Sequence, residues 1–166
     1  EIDLLWKYCD TEYVDVVLML IYSGVRISEL LNLKKENINI TEQYFNVVSS
    51  KTEAGVRCVP IADKVLPFWG KWLSTSKCDF LLFNSKGEPF DYNSFYSDYF
   101  LPLMERLGMK HTPHDTRHTC ISMLAAAKIE PTITRKIVGH SNSKSVTETI
   151  YTHLDVSVLL EAINSI

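Results

Sequence analysis

Three residues between positions 114 and 118 could act together on one anion: His114, Arg117 and His118, within the stretch HTPHDTRHTCI. Pro113 favours a helix start there. At 100° per residue, His114, Arg117, His118 and Ile121 then share one face, and Thr116, Cys120, Met123, Leu124 and Ala127 share the other. The second face is expected to anchor the helix in a core. The first would present imidazoles beside a guanidinium, whose planar fork suits a phosphate or another oxyanion. Zinc ligation by His111, His114 and His118 is the alternative. It would set Arg117 beside a cation, and no Cys or Glu at a suitable spacing completes a tetrahedral site.

A second group lies in 139–153, GHSNSKSVTETIYTH. Its first seven residues look like a phosphate-binding loop, but Ser143 stands where such a loop needs glycine before its lysine. No GxGxxG occurs either, so nucleotide-driven chemistry has no support. The remaining candidates are His140 and Tyr151. A tyrosine hydroxyl ionises near pH 10, so it becomes a nucleophile only with a base or cations close by. The chain holds both.

The elements that must position these residues can be read from pattern. Residues 11–24 read as a buried helix, with Thr11 at its cap and Gly24 at its end. Ser28 is expected to cap a short following helix. Three short runs, Ile38–Ile40, Tyr44–Val48 and Arg57–Ile61, suggest a small antiparallel sheet. Helical spacing returns at 63–74, 91–107, 114–127, 131–138 and 145–151, then in a terminal piece from Asp155. The fold class is therefore mainly α with a small antiparallel β-sheet, and 166 residues suggest a single domain.

Charge gives a mixed signal. The formal total is -3, which by itself speaks against nucleic acid. The distribution differs. Residues 1–42 carry 4 basic and 8 acidic side chains, whereas residues 101–144 carry 7 and 3, together with four of the five histidines. Residues 145–166 add 3 acidic side chains and no basic one. The four cysteines lack CxxC spacing and fit reduced thiols. No run approaches the ~20 apolar residues of a membrane span. A cytoplasmic protein is expected, and the start at Glu1 suggests a fragment of a longer chain.

With these residues in place, the sequence resembles the tyrosine recombinases, the integrases of temperate phages and conjugative transposons. Residues 22–30 (YSGVRISEL) resemble the family's first box. His114 to Thr119 (HDTRHT) resembles its His-x-x-Arg box. Gly139-His140 and Tyr151-Thr152-His153 resemble its last two boxes. Lys51, in SSKTEAGVRCVPI, falls where the family carries a hairpin lysine. The boxes occur in family order along essentially the whole chain, which is similar to the family's catalytic domain without the N-terminal DNA-clamping domain. Two features depart from the pattern. Thr116 stands where the family more often has an apolar residue, and His140 and Tyr151 are eleven apart, slightly wide.

The resemblance implies a site-specific recombinase acting on double-stranded DNA without metal, ATP or other cofactor. Tyr151 would be the nucleophile that forms a 3′-phosphotyrosyl bond. Arg26 and Arg117 would hold the non-bridging oxygens, His114 would take the tyrosine proton, Lys51 would protonate the leaving 5′-oxygen, and His140 would donate to a non-bridging oxygen. Glu29 would support Arg26 as a buried partner. The family also implies self-association into a tetramer on DNA and allows an accessory directionality factor. DNA relaxation of the type IB topoisomerase kind and a non-catalytic DNA-binding relative are the alternatives. Two further expectations concern dynamics and assembly: Tyr151 is mobile or displaced without DNA, and residues 155–166 pack either on their own core or on a neighbouring protomer. The chain alone is expected to bind DNA weakly, with steep salt dependence.

Overall fold

A computed structural model describes residues 1–48, 56–84, 86–139 and 156–166. At its centre lies α2 (Val14–Ile21), all eight of whose residues are buried. A helix apolar all round must be enclosed by others, and α1 (Ile2–Lys7), α4 (Leu66–Thr75) and α7 (Pro113–Ala126) pack around it. Its one charged residue, Asp15, is neutralised where it lies. The Asp15 Oδ2 accepts from Lys71 Nζ at 2.9 Å and from Trp72 Nε1 at 3.0 Å.

The start of α2 differs from expectation. Thr11 does not cap it with its side chain; only its carbonyl accepts, from the Val14 N–H at 3.1 Å. The flanking residue is Tyr13, at φ 64. A left-handed conformation costs a non-glycine residue ~1–2 kcal/mol. Here aromatic packing offsets it, because the Tyr13 ring sits 4.4 Å from Tyr99 and about 6 Å from Trp72, Phe90 and Phe95, within the range of favourable ring pairs. The first helix, α1, has no counterpart in the sequence reading. It is held by Trp6, whose Nε1 donates to Tyr22 Oη at 3.2 Å.

Gly24 ends the α2 segment and begins the turn into α3 (Ile27–Leu31). It has φ +63, and a Cβ there would lie 2.9 Å from both Cys120 Sγ and Val138 Cγ1. Glycine thus serves two needs at once, the turn and the close approach of α7 and α8 (Pro131–Val138). The α3 helix starts two residues earlier than a cap at Ser28 would allow. Arg26 occupies the cap position, and Glu29 reaches back to its N–H at 2.9 Å.

Strands β1 (Ile38–Asn39), β2 (Tyr44–Val47) and β3 (Arg57–Pro60) form an antiparallel sheet in the order β1-β2-β3. Phe45 pairs with Val59 and Val47 with Arg57. Phe45, Val47 and Val59 are buried, and Phe45 stacks on Trp69 of α4 at 4.7 Å.

From Tyr92 to Arg106 the chain is one helix interrupted by a wider π turn: α5 (Tyr92–Phe95), the turn Tyr96–Phe100, then α6 (Leu101–Arg106). Pro102 has no N–H to close a regular turn onto Asp98, which is a physical reason for the irregularity just before it. The last helix, α9 (Val156–Asn164), buries Leu159, Ala162 and Ile163 against β3 and α8 of the same chain. Asn164 Oδ1 accepts from the Asp63 N–H at 2.8 Å and Lys64 Nζ donates to the Ile166 carbonyl. The first of the two expectations for this tail therefore holds in the monomer.

Gly24→Ala is expected to destabilise the fold by about 2–4 kcal/mol, because strain at positive φ adds to overpacking against Cys120 and Val138. Chemical denaturation checks this; a loss under about 0.5 kcal/mol, the scale of ordinary surface substitutions, would refute the packing account.

Candidate catalytic site

Arg117 does not stand on the outer face beside His114 and His118. It is 2% exposed, buried with Pro113, Thr116, Cys120 and Leu124. Positions 113, 117, 120 and 124 follow each other at spacings of four, three and four, so Arg117 lies on the buried stripe as well as beside the polar one. The frame of α7 explains its rigidity. Asp115 accepts from the Thr112 N–H at 2.7 Å, Pro113 occupies the first turn, and the Thr116 hydroxyl donates to the Pro113 carbonyl at 2.7 Å. The unusual threonine at 116 is thereby satisfied in the core.

Among the described residues the Arg117 guanidinium is bonded on one side only. Nη1 donates to the Gly24 carbonyl at 2.7 Å. Nη2 is buried and has no hydrogen-bond partner among the described residues. Burial, then the charges of Arg26 and Arg57, push the Arg117 pKa down to about 10. It remains a cation at neutral pH, held where its charge is poorly compensated. Such a group is completed by an anion.

The compensation present comes from Glu29. Its side chain is 4% exposed. Arg26 Nη1 lies 2.9 Å from Glu29 Oε1, and the Arg57 guanidinium spans both oxygens at 3.2 and 3.0 Å. Burial alone would raise the Glu29 pKa. The hydrogen bonds and charge of Arg57, with those of Arg26, outweigh it and hold the carboxyl below its ordinary 4.5. Three guanidiniums thus gather around one carboxylate, leaving a local excess of positive charge. The sequence reading paired Glu29 with Arg26 but gave Arg57 no role. Its only signal was an arginine sharing one face of a predicted strand with the apolar Val59 and Ile61.

His114 occupies the first turn of α7 and is exposed. Its ring meets His118 edge-on at 4.7 Å. His111 turns away from both, toward Glu1 Oε2 at 3.2 Å and Asp115 Oδ2 at 3.6 Å. The three histidines form no metal cage, and no group of three metal-ligating side chains occurs among the described residues. Lys51, His140 and Tyr151 lie outside the described residues, as do the predicted helix 145–151 and the expectation that Tyr151 is displaced. Arg26 and Arg117 are brought into one cluster, with His114 one turn before Arg117. All four cysteines are free thiols, and burial pushes Cys120, beneath Gly24, up to about 12. No helix among the described residues is long and apolar enough to cross a membrane.

The domain is mainly helical with a three-stranded sheet, and it sets a half-exposed Arg26 at the start of α3 in the same charge cluster as the buried Arg117 of α7. Residues 1–157 match the phage integrase family, and the chain belongs to it. It is 28% identical over 138 residues to a tyrosine recombinase of Thermosipho africanus, covering 82% of this chain and 47% of that protein. It is 29% identical over 153 residues to tyrosine recombinase XerA of Pyrococcus horikoshii, covering 89% and 53%. Among solved structures, a XerA recombinase superposes with a TM-score of 0.69 at 29% identity, over 95% of this chain and 59% of that one. The Tn1549 transposon integrase, in complex with transposon right end DNA, gives 0.73 at 24% identity, over 94% and 60%. The chain spans about half the length of the curated relatives it matches.

The depressed Glu29 pKa carries a sign. Its stabilisation is complete above the unfolded value near 4.5 and is lost as pH falls through the lower folded value. Glu29→Gln is therefore expected to be less stable than wild type at pH 7 and to approach it under acid. Parallel stability–pH curves for the two proteins would refute the pairing.

Proposed function

We propose that this chain is the strand-cleaving and strand-joining part of a site-specific DNA recombinase. The observation that carries the reading is Arg117: a buried guanidinium, fixed by Gly24, with one donor unpartnered, in a member of the phage integrase family. A DNA phosphate is the oxyanion that such a member would place there.

In this reading, Tyr151 Oη attacks the scissile phosphorus. The bond from phosphorus to the 5′-oxygen breaks, and the 3′-phosphate becomes esterified to the tyrosine. His114 accepts the tyrosine proton, a task suited to an imidazole whose reference pKa is near neutrality. Lys51 protonates the departing 5′-oxygen. Arg26 and Arg117 take the non-bridging oxygens and stabilise the charge of the five-coordinate transition state, with His140 as a further donor. One phosphoester is exchanged for another, so a second 5′-hydroxyl can reverse the step with no energy from ATP.

Double-stranded DNA is the substrate, a tetramer on DNA is the working assembly, and an accessory directionality factor is a compatible partner. The cis-packed α9 is the segment available for exchange between protomers. The phage integrase match, the XerA-like fold and the arginine cluster support this reading.

The test uses a nicked suicide duplex. Wild type should accumulate a covalent protein–DNA adduct, and Tyr151→Phe should form none while still binding DNA. Arg117→Ala should slow adduct formation by about 100- to 1,000-fold, the scale for loss of one transition-state donor. No adduct from wild type on its own site, or adduct persisting in Tyr151→Phe, would overturn the assignment.

A further inference from the structure

Arg57 projects from β3 with its side chain 7% exposed. Its Nε donates to the Ile137 carbonyl at 2.7 Å, and Nη1 and Nη2 reach the two oxygens of Glu29. Arg26 reaches the same two oxygens, with its backbone N–H on Oε2 and Nη1 on Oε1, both at 2.9 Å. An ionised carboxylate offers about four lone-pair sites, and these four N–H donors meet them. Arg117 belongs to the same electrostatic cluster, yet neither of its terminal nitrogens bonds Glu29.

We propose that Arg57 is a positioning residue for strand cleavage: by filling Glu29 it fixes Arg26 and denies the carboxylate to Arg117, whose Nη2 stays available to a phosphate oxygen. The role given to the phosphate rests on the strand-transfer reading; the competition for Glu29 does not. Removing Arg57 takes two donors from the buried carboxylate, a costly loss for a buried acceptor. Arg117 Nη2 is an unpartnered charged donor in the same cluster, and capturing it would relieve that cost. Lysine is no substitute, because its ammonium lacks the fork that covers both oxygens and reaches the Ile137 carbonyl. That last bond ties the end of α8 into the same network. Gly139 follows at φ +71, where a Cβ would lie 2.8 Å from the Arg57 guanidinium carbon. The backbone at Gly139 is thus set against Arg57 itself.

The experiment compares Arg57→Met, Arg57→Lys, Glu29→Gln and the double variant E29Q/R57M in the full-length protein. Both Arg57 variants should cleave a suicide duplex about 100-fold more slowly in a single turnover, as expected for a misplaced catalytic group. Their DNA affinity should stay within about threefold and the salt slope should not change; a slope smaller by about one contact would mean that Arg57 itself touches phosphate and would overturn the proposal. The double variant should recover at least about tenfold over Arg57→Met, since a neutral amide does not capture Arg117; equal or slower cleavage would overturn it. A purely structural role would lower thermal stability in both and give no recovery. Guanidinium ¹⁵N NMR supplies a readout without DNA. The Arg117 signals should shift to an ion-paired state in Arg57→Met and return in the double variant. Unchanged signals in Arg57→Met would overturn the proposal even if wild type forms no DNA adduct, an outcome that would count against strand transfer alone.

Discussion

One carboxylate organises this molecule's charge. Guanidiniums repel one another, and burial raises that cost because a low dielectric strengthens every Coulomb interaction. Arg26, Arg57 and Arg117 nevertheless converge, from the start of α3, from β3 and from α7. Glu29 makes this tolerable. It binds two of them directly and lowers the repulsion felt by the third. The sheet, the α2–α3 turn and the end of α8 are all fixed by bonds that lead to that single side chain or to its partners.

The arrangement also explains why net charge is a poor guide to function here. A total of -3 describes the whole surface. A phosphate would meet a local field, and the field at Glu29 is set by three cations and one anion, of which Arg57, Arg117 and Glu29 itself are buried. Shielding matters more than the count. An exposed cluster of the same composition would be screened by salt within a Debye length, roughly 8–10 Å, whereas a largely buried one is screened much less.

Most elements were legible because their signals are local. Pro131 and Gly139 bracket α8 as the residue pattern required, and β-branched runs marked the three strands. The misses have a common cause, namely contacts between residues far apart in sequence. Tyr13 adopts a left-handed backbone because aromatic rings from three other segments enclose it. The α1 helix depends on Trp6 meeting Tyr22 and Phe68. Arg57 acquires its place only when β3 folds beside α3 and α8. Arg117 could have been placed correctly from spacing, since it fits two stripes of α7; its charge argued for the outer one, and the Gly24 carbonyl made the inner one acceptable.

The π turn at Tyr96–Phe100 has an arithmetic of its own. Phe95 and Phe100 are both buried. In a regular α-helix residues five apart stand about 140° from each other and could not share a face. The wider turn absorbs the surplus residue and restores the phase, so that Leu103 and Met104 in α6 still face the core. The helix thus carries a one-residue slack. Between Phe95 and Phe100 the chain could lose a residue and relax to ordinary helical pitch with its downstream face unturned, a freedom that a uniform helix of the same length would not have.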